Sequence, residues 1–394
     1  MINLWKSCVA SLAPIIYLVV MEKHAENTMR VLGMMTGTSA DGLDLCLVEF
    51  RGEGTTPAFE IINTLDIDYP TKFKVAFRDP LELSEEQVSD LDTELGQWFA
   101  HELVKLDLSY DLIGSHGQTL RHEPPYFTLQ IGDPSFMAKQ LNTPVVYDFR
   151  SRDVELGGQG APLIPIVDQF LYTRDDEDVI CLNIGGISNI TILPSKQKQL
   201  PIIAWDTGPG NTLIDKAVRL YSNYKLSFDR DGQLAAEGQL NEGWLKLLLS
   251  HEFYDLNPPK SAGQEQFGKT YFDELLKQTY PRTDQEFKDL ILCFTLLTAK
   301  TIANSIKTVS EDYNPTTIYV SGGGAKNKTL LSQLKNELPQ LKIGFAERDG
   351  ITTDNKEAFG FAYLAYLRMM NMPGNIPKVT GASEHAILGK IYWP

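Results

Sequence analysis

The sequence predicts an α/β chain of two lobes, and three observations carry that prediction. A strand, a tight glycine turn and a second strand open the pattern near Arg30, and the same arrangement returns near Asp178. Around both, long helical segments alternate with short apolar strands. With 43% hydrophobic and 22% charged residues over 394 positions, the chain can fill two cores and does not read as disordered.

In chain order, RVLGMMT is a strand, GTSADG a turn, and LDLCLVEF and FEIINTLDI complete a meander. Ser84 with Gln87 three residues on is a capping-box signature, so a long helix is expected through Leu95, Phe99 and Leu103 to about Leu106. Short strands follow at Asp111 to Ser115 and Pro144 to Phe149, with a helix around Phe136 to Leu141. From Asp178, VICLNIG, a Gly-Gly turn and ISNITIL begin the second round. It continues with a strand ending at Asp206, a helix from about Asn211, and a Pro- and Gly-rich insertion near Asn257 to Gly268. A long helix over about Glu286 to Val309, the strand TTIYVSG, a glycine-rich turn, a helix, the strand LKIGFAE and a last helix from Lys356 complete the pattern.

Residues 1–29 are set apart. The run Cys8 to Val20 is apolar and follows Lys6, as in a signal peptide, but it is short for a bilayer, contains Pro14 and precedes no A-x-A site. We read it as a poorly packed extension or an over-extended coding start, with Met21 and Met29 as alternative starts. The protein is expected in the cytoplasm with no membrane partner. Thirty-six basic against 51 acidic residues, a net charge of -15, argue against a nucleic-acid partner. Cys8, Cys46, Cys181 and Cys293 form no CxxC pair and read as reduced core thiols, and the six histidines form no HExxH pattern, so any metal should have oxygen ligands.

Four segments carry chemistry. Gly37, Thr38, Ser39, Ala40, Asp41, Gly42, Leu43 and Asp44 form a hairpin tip whose small residues let main-chain N–H groups approach phosphate oxygens, with Asp41 placed to hold magnesium directly or through water. Its plainer reading is an ordinary hairpin turn. The second tip, Asn183 to Asn189, with Asn183, Gly185 and Gly186, repeats the arrangement, and the pair can clamp a triphosphate from two sides. A two-lobed fold with a nucleotide in the cleft follows. Asp206 ends an apolar strand before a turn holding Gly208, Gly210 and Asn211, where α/β folds place catalytic groups and anions; the plainer reading is a turn acid or helix cap. Gly322, Gly323 and Gly324 join a strand to a helix and suit close approach by adenine or ribose, without the GxGxxG spacing. Gly263 to Thr270, GQEQFGKT, matches the phosphate-loop pattern formally, yet it follows a polar stretch rather than a buried strand, so a mobile loop is expected there.

GTSADGLD, SHGQT, LQIGD, DFRSRD, GGQGAPL, NIGGISN, DTGPGN, PKSAG and VTGAS, in this order from about Arg30 to the C-terminus, resemble the anhydro-N-acetylmuramic acid kinase family. One departure is Thr36, where the family usually has serine; the hydroxyl is kept. The resemblance implies an actin-like ATPase fold of two ribonuclease H-like domains around a central nucleotide cleft. The first lobe would be 30–150 with 356–394, and the second 151–355. It also implies ATP and magnesium on Gly37 to Asp44, Asp206 activating water, and His116, Arg150 and Glu357 contacting the sugar. The plainer readings of those three are a satisfied buried histidine, a surface ion pair and a helix N-terminal acid. The implied reaction is phosphorylation of 1,6-anhydro-N-acetylmuramic acid on O6 with hydrolytic opening of the anhydro bridge. Glycoside hydrolysis ordinarily needs two carboxylates, but where the γ-phosphoryl group caps the departing O6 one base suffices. The expected partners are the sugar and ATP, with the oligomeric state, a homodimer included, left open. A hexose or acetate kinase would share the phosphate turns without SHGQT and DFRSRD; a non-enzymatic ATP-binding scaffold would have less need of Asp206.

Overall fold

Alternating apolar residues form the expected meander: β1 (Thr28–Met35), β2 (Gly42–Arg51) and β3 (Ala58–Asp68) pair antiparallel, with Met35 opposite Asp44 and Gly42 opposite Asp68. The computed structural model describes residues 28–37, 42–77, 83–124, 126–258, 260–309 and 311–394. The expected extension thus lies outside the described residues up to position 27, as do Thr38, Ser39, Ala40 and Asp41 of the first glycine tip and Cys8. Met29, assigned to the extension by sequence, is a core residue of β1, buried opposite Phe50.

β4 (Leu112–Ser115) lies parallel to β1, and after a hairpin of β5 (Gln118–Glu123) and β6 (Phe127–Ile131), β7 (Val145–Tyr147) lies parallel to β4. The helix Glu85–Val104 starts at the expected capping box, Ser84 Oγ accepting from Gln87 N while Gln87 Oε1 accepts from Ser84 N. Its Leu95 and Phe99 share a core with Met137 and Ala138 of the helix Pro134–Leu141 and with Leu32 and Met34 of β1. Gly33, between those two, faces the opposite side, where the main chain of helix Lys356–Met369 comes so close that no Cβ would fit.

The second meander is β8 (Asp178–Ile184), β9 (Ile187–Leu193) and β10 (Ile203–Pro209); β11 (Pro315–Ser321) lies parallel to β8 and β12 (Lys342–Phe345) parallel to β11. The strand order β10-β9-β8-β11-β12 repeats β3-β2-β1-β4-β7, so the duplication seen in the sequence is a duplication of topology. The first sheet alone gains an antiparallel edge strand, β13 (Lys390–Tyr392), on β7. Helix Asp284–Lys307, with a second capping box at Thr283 and Glu286, is long and apolar enough to cross a membrane. Its most apolar window is 78% buried within the protein, which identifies it as a core helix. Cys46, Cys181 and Cys293 are buried and outside any disulfide, and burial pushes Cys46 up to about 12.

Contacts divide the chain into one unit running to Phe170 and resuming from Arg348 to Pro394, and another from Leu171 to Glu347. The sequence placed these divisions at 150/151 and 355/356. Residues 151–170 join the first unit because Phe170 stacks on Tyr363 at 4.4 Å, meets Phe59 at 5.6 Å, and Asp168 forms a buried ion pair with Lys356. Two further expectations are corrected. β10 does not end at Asp206; it runs on to Pro209 past a bulge at Thr207, where the Ser188 and Thr207 hydroxyls meet at 2.6 Å. The segment 263–270 is not a loop: Gln264–Phe267 is a short helix leading into Lys269–Thr279, with Phe267 and Gly268 buried.

Candidate active site

In the second unit the turn between β8 and β9 and the turn after β10 are locked together by main-chain bonds. Gly210 N and Thr212 N donate to Gly186 O, and Asn211 N donates to Gly185 O at 2.8 Å. The Asn211 amide donates to the carbonyls of Ile184 and Gly185 at 3.0 and 3.1 Å, and Thr298 Oγ1 bonds the carbonyls of Pro209 and Gly210. The N–H of Thr212, first in helix Thr212–Tyr221, is therefore engaged by this turn, and Asn211 is its latch.

The glycines here fall into two kinds. A Cβ on Gly210 would collide with Gly185 O, one on Gly322 with Asn183 Oδ1 and Ile184 O, and one on Gly324 with the Ile184 side chain. These three serve packing of the motifs on one another. At Gly323 the nearest atom to an added Cβ is Asn211 Nδ2 at 3.9 Å, and at Gly185 it is Ile187 O at 3.4 Å. Packing does not require glycine at either position, and both face open space. Gly186 sits between, its added Cβ 2.9 Å from the Thr212 hydroxyl, and Gly208 is held at φ 141° beside Tyr254.

Asp206 lies opposite Asn189, half-buried. Its Oδ2 accepts from Ala262 N at 2.8 Å while its main-chain N donates to Lys260 O at 3.0 Å. The PKSAG segment thus aims the carboxylate, and Lys260 itself is anchored on the Phe253 and Tyr254 carbonyls. The neighbouring bulge turns the chain beside a carboxylate, a common device at sites. Sequence reading passed over Asp215, four residues past Asn211, whose half-buried carboxyl is pushed up to about 6 by burial against the pull of Arg219 and Lys216. Lys269 is the first residue of its helix and pairs with Asp273, and the nearest element before Gly263 is the 3-10 turn Glu252–Asp255, not a strand; the phosphate-loop match is accidental.

In the first unit, Gly37 O accepts from the Gln118 amide at 3.3 Å, and Gly42, Leu43 and Asp44 sit in the β2 ladder, the Leu43 side chain fully buried in the core and its main chain opposite Ile67. Three more sequence candidates gather beyond β4. His116 is only 4% exposed, and Arg150 directs Nε and Nη2 at its Nε2, at 3.2 and 3.0 Å. Guanidinium only donates, so His116 Nε2 is the acceptor and the ring proton sits on Nδ1. That Nδ1 has no partner of good geometry among the described residues, although the Gly117 and Thr36 main chain lies near enough to favour the proton. Burial, then the Arg150 charge, hold the imidazole well below its usual pKa, so it is neutral at physiological pH. Burial also lowers Arg150 to about 10 against the raising influence of Glu357 and Asp153. Glu357 is open to solvent, yet desolvation raises its carboxyl, countered by Arg150 and Lys356.

Beside His116 is a cavity of about 280 Å³ at the carboxyl ends of β4 and β7, lined among others by Ser115, Gln130, Asp133, Tyr147 and Tyr392. This is where open α/β sheets bind ligands. Apart from His116, none of its lining residues was singled out from the sequence as a contact, although LQIGD and DFRSRD supply five of them; Tyr392, the third-last residue, gave no signal. Among the described residues no three His, Cys, Asp or Glu side chains gather as a metal cage. A magnesium ion held by one or two carboxylates and a nucleotide's own oxygens needs none.

Each unit offers a candidate site of its own, the second with open space beside glycine turns and an aimed carboxylate, the first with a polar cavity beside an imidazole and a guanidinium. A sequence model described as anhydro-N-acetylmuramic acid kinase matches residues 29–394, and the chain belongs to that family of kinases. It is similar to the anhydro-N-acetylmuramic acid kinase of Caldanaerobacter subterraneus subsp. tengcongensis, with 40% identity over 92% of this chain and 96% of the relative. It is also similar to that of Bacillus cereus strain AH820, with 36% identity over 93% of this chain and 100% of the relative. Among solved structures, the (R)-2-hydroxyglutaryl-CoA dehydratase component A of Acidaminococcus fermentans superposes with a TM-score of 0.41 at 12% identity, over 86% of this chain and 99% of that one. At that score the likeness bears on neither fold nor function.

Proposed function

We propose that the chain phosphorylates 1,6-anhydro-N-acetylmuramic acid on O6 while water opens the anhydro bridge, yielding N-acetylmuramic acid 6-phosphate and ADP in cytoplasmic recycling of peptidoglycan. The observation that carries this reading is the family match over residues 29–394. In the reaction, water attacks C1, the C1–O6 bond breaks, and O6 takes the γ-phosphoryl group of ATP. Asp206 accepts the proton from water, its carboxylate aimed by the Ala262 N–H bond. His116, Arg150 and Glu357 hold the sugar, the neutral imidazole offering one donor and Glu357 an acceptor. The main chain around Gly185 and Gly323 receives ATP, as do Gly37 to Asp44. Asp41 would hold magnesium, directly or through water, and the ion when bound would supply positive charge to the phosphoryl oxygens.

The decisive experiment is turnover of the anhydro sugar with ATP and magnesium in ¹⁸O-labelled water, followed by mass analysis. The label is expected on the anomeric oxygen and absent from the phosphoryl group. A phosphorylated sugar with its anhydro ring intact would refute the hydrolytic mechanism, and no phosphorylated product would refute the substrate.

A further inference from the structure

Asp153 is completely buried, so the bonds its carboxylate makes disclose its role. Oδ2 accepts from Gly160 N at 2.8 Å, while Oδ1 accepts from the Asn375 amide at 2.8 Å and the Thr380 hydroxyl at 2.7 Å. Gly160 in turn presents its carbonyl to Arg150 Nη1 at 2.8 Å, and the other edge of the same guanidinium is the one directed at His116 Nε2. A continuous run of hydrogen bonds therefore passes from the C-terminal segment through Asp153 and Gly160 to Arg150 and His116. The path has little slack. A Cβ on Gly158 would run into the Asp153 carboxylate, Gly160 holds φ 66°, and Gln159 N bonds Thr380 O at 2.7 Å. Asn375 is itself fixed by Ala386 N, which donates to its Oδ1 at 2.7 Å. Two segments without an assigned job, GGQGAPL and VTGAS, are the two sides of this assembly.

We propose that Asp153 is a positioning residue for the sugar side of the reaction: it fixes Gly160, and through the Gly160 carbonyl the guanidinium of Arg150, in the orientation that sets the His116 tautomer. The inference rests on the reading of Arg150 and His116 as sugar-holding groups. Asp153→Asn tests it with unusual selectivity. An amide in this place has one acceptor oxygen instead of two, and keeping that oxygen on Asn375 and Thr380 saves two bonds where turning it to Gly160 saves one. Its NH₂ then faces the Gly160 N–H, donor against donor. The variant should keep the C-terminal anchor and lose the link to Arg150.

For Asp153→Asn the sugar KM is expected to rise about tenfold, the scale of a modest misplacement of a binding group, with the ATP KM within about twofold of wild type. The nitrogen NMR signals of His116 should change from a single Nδ1–H tautomer to a mixture. A purely structural role would move both KM values together or lower the active fraction with neither changed. Thr380→Val loosens the carboxylate from its other side and should raise the sugar KM by about threefold, the worth of one hydrogen bond. An unchanged sugar KM and His116 signature in folded Asp153→Asn overturn the proposal. If that variant is insoluble, a wild-type sugar KM in Thr380→Val does so. Arg150→Lys keeps the charge but loses the fork. If it too leaves the sugar KM unchanged, the reading of Arg150 fails; if it raises the KM while Asp153→Asn does not, the present inference alone fails.

Discussion

The two units share one strand order and differ in which strands carry the groups of interest and in what those groups are. Beyond the central strand of the second unit, β8, the chain offers glycines, main-chain dipoles and one aimed carboxylate, Asp206. At the carboxyl ends of β4 and β7 in the first unit stand a neutral buried imidazole, a guanidinium and a polar cavity. A duplicated framework thus carries two unlike linings: one end presents main-chain dipoles and open space, the other individually aimed side-chain donors and acceptors. The difference teaches that the fold supplies positions and the local turns supply chemistry.

The largest expected effect breaks the comparison at its single base. Asp206→Asn keeps the shape and the Ala262 bond but cannot take a proton from water, so kcat should fall by about 10²-fold or more, the usual scale for a lost general base. The ATP dissociation constant, measured by calorimetry, should change little. A kcat within a few-fold of wild type would remove Asp206 from the chemistry.

The framework was legible in the sequence because its signals are local. The capping box at Ser84, the glycine turns between paired strands and the alternation in β1 and β8 each follow from a few adjacent residues, whereas the capping box at Thr283 was passed over. Asp206, His116 and Arg150 stood out through motifs. What escaped depends on contacts between distant positions. The Asp153 carboxylate meets Asn375 and Thr380, more than 200 residues away, and Tyr392 enters the cavity wall because β13 pairs with β7. The strand end at Asp206 was misplaced for the same reason: the bulge at Thr207 is set by Ser188 of the neighbouring strand. The sequence also treats every turn glycine alike, although only a neighbour in space separates those that pack from those that leave room.

That separation gives a smaller, sharper test. Gly210→Ala would drive a Cβ into Gly185 O, with main chain on both sides, and should cost about 3 kcal/mol of stability by thermal or denaturant unfolding. Gly323→Ala meets nothing nearer than 3.9 Å, so its stability should stay within about 0.5 kcal/mol while the ATP KM rises severalfold, by about 1 kcal/mol of lost approach. Equal losses of stability in both variants would erase the distinction between packing and ligand-facing glycines.

The smallest effect is expected where the sequence is most suggestive. Lys269 completes a G-x-x-x-x-G-K-[ST] match, and in a true phosphate loop its ammonium would reach the terminal phosphates, so its loss would abolish ATP binding. Here no strand leads into the segment, Lys269 opens an ordinary helix, and its ammonium pairs with Asp273 one turn on at the surface. An exposed i,i+4 pair of this kind contributes at most about 0.5 kcal/mol. Lys269→Ala should therefore leave the ATP KM and kcat within about twofold, which steady-state kinetics can resolve. A hundredfold rise in the ATP KM with the fold intact would mean that the second unit receives phosphate at this helix and not at the turns around Gly185 and Gly323. The contrast between a dipole-lined phosphate side and a side-chain-lined sugar side would then have to be redrawn around a lysine.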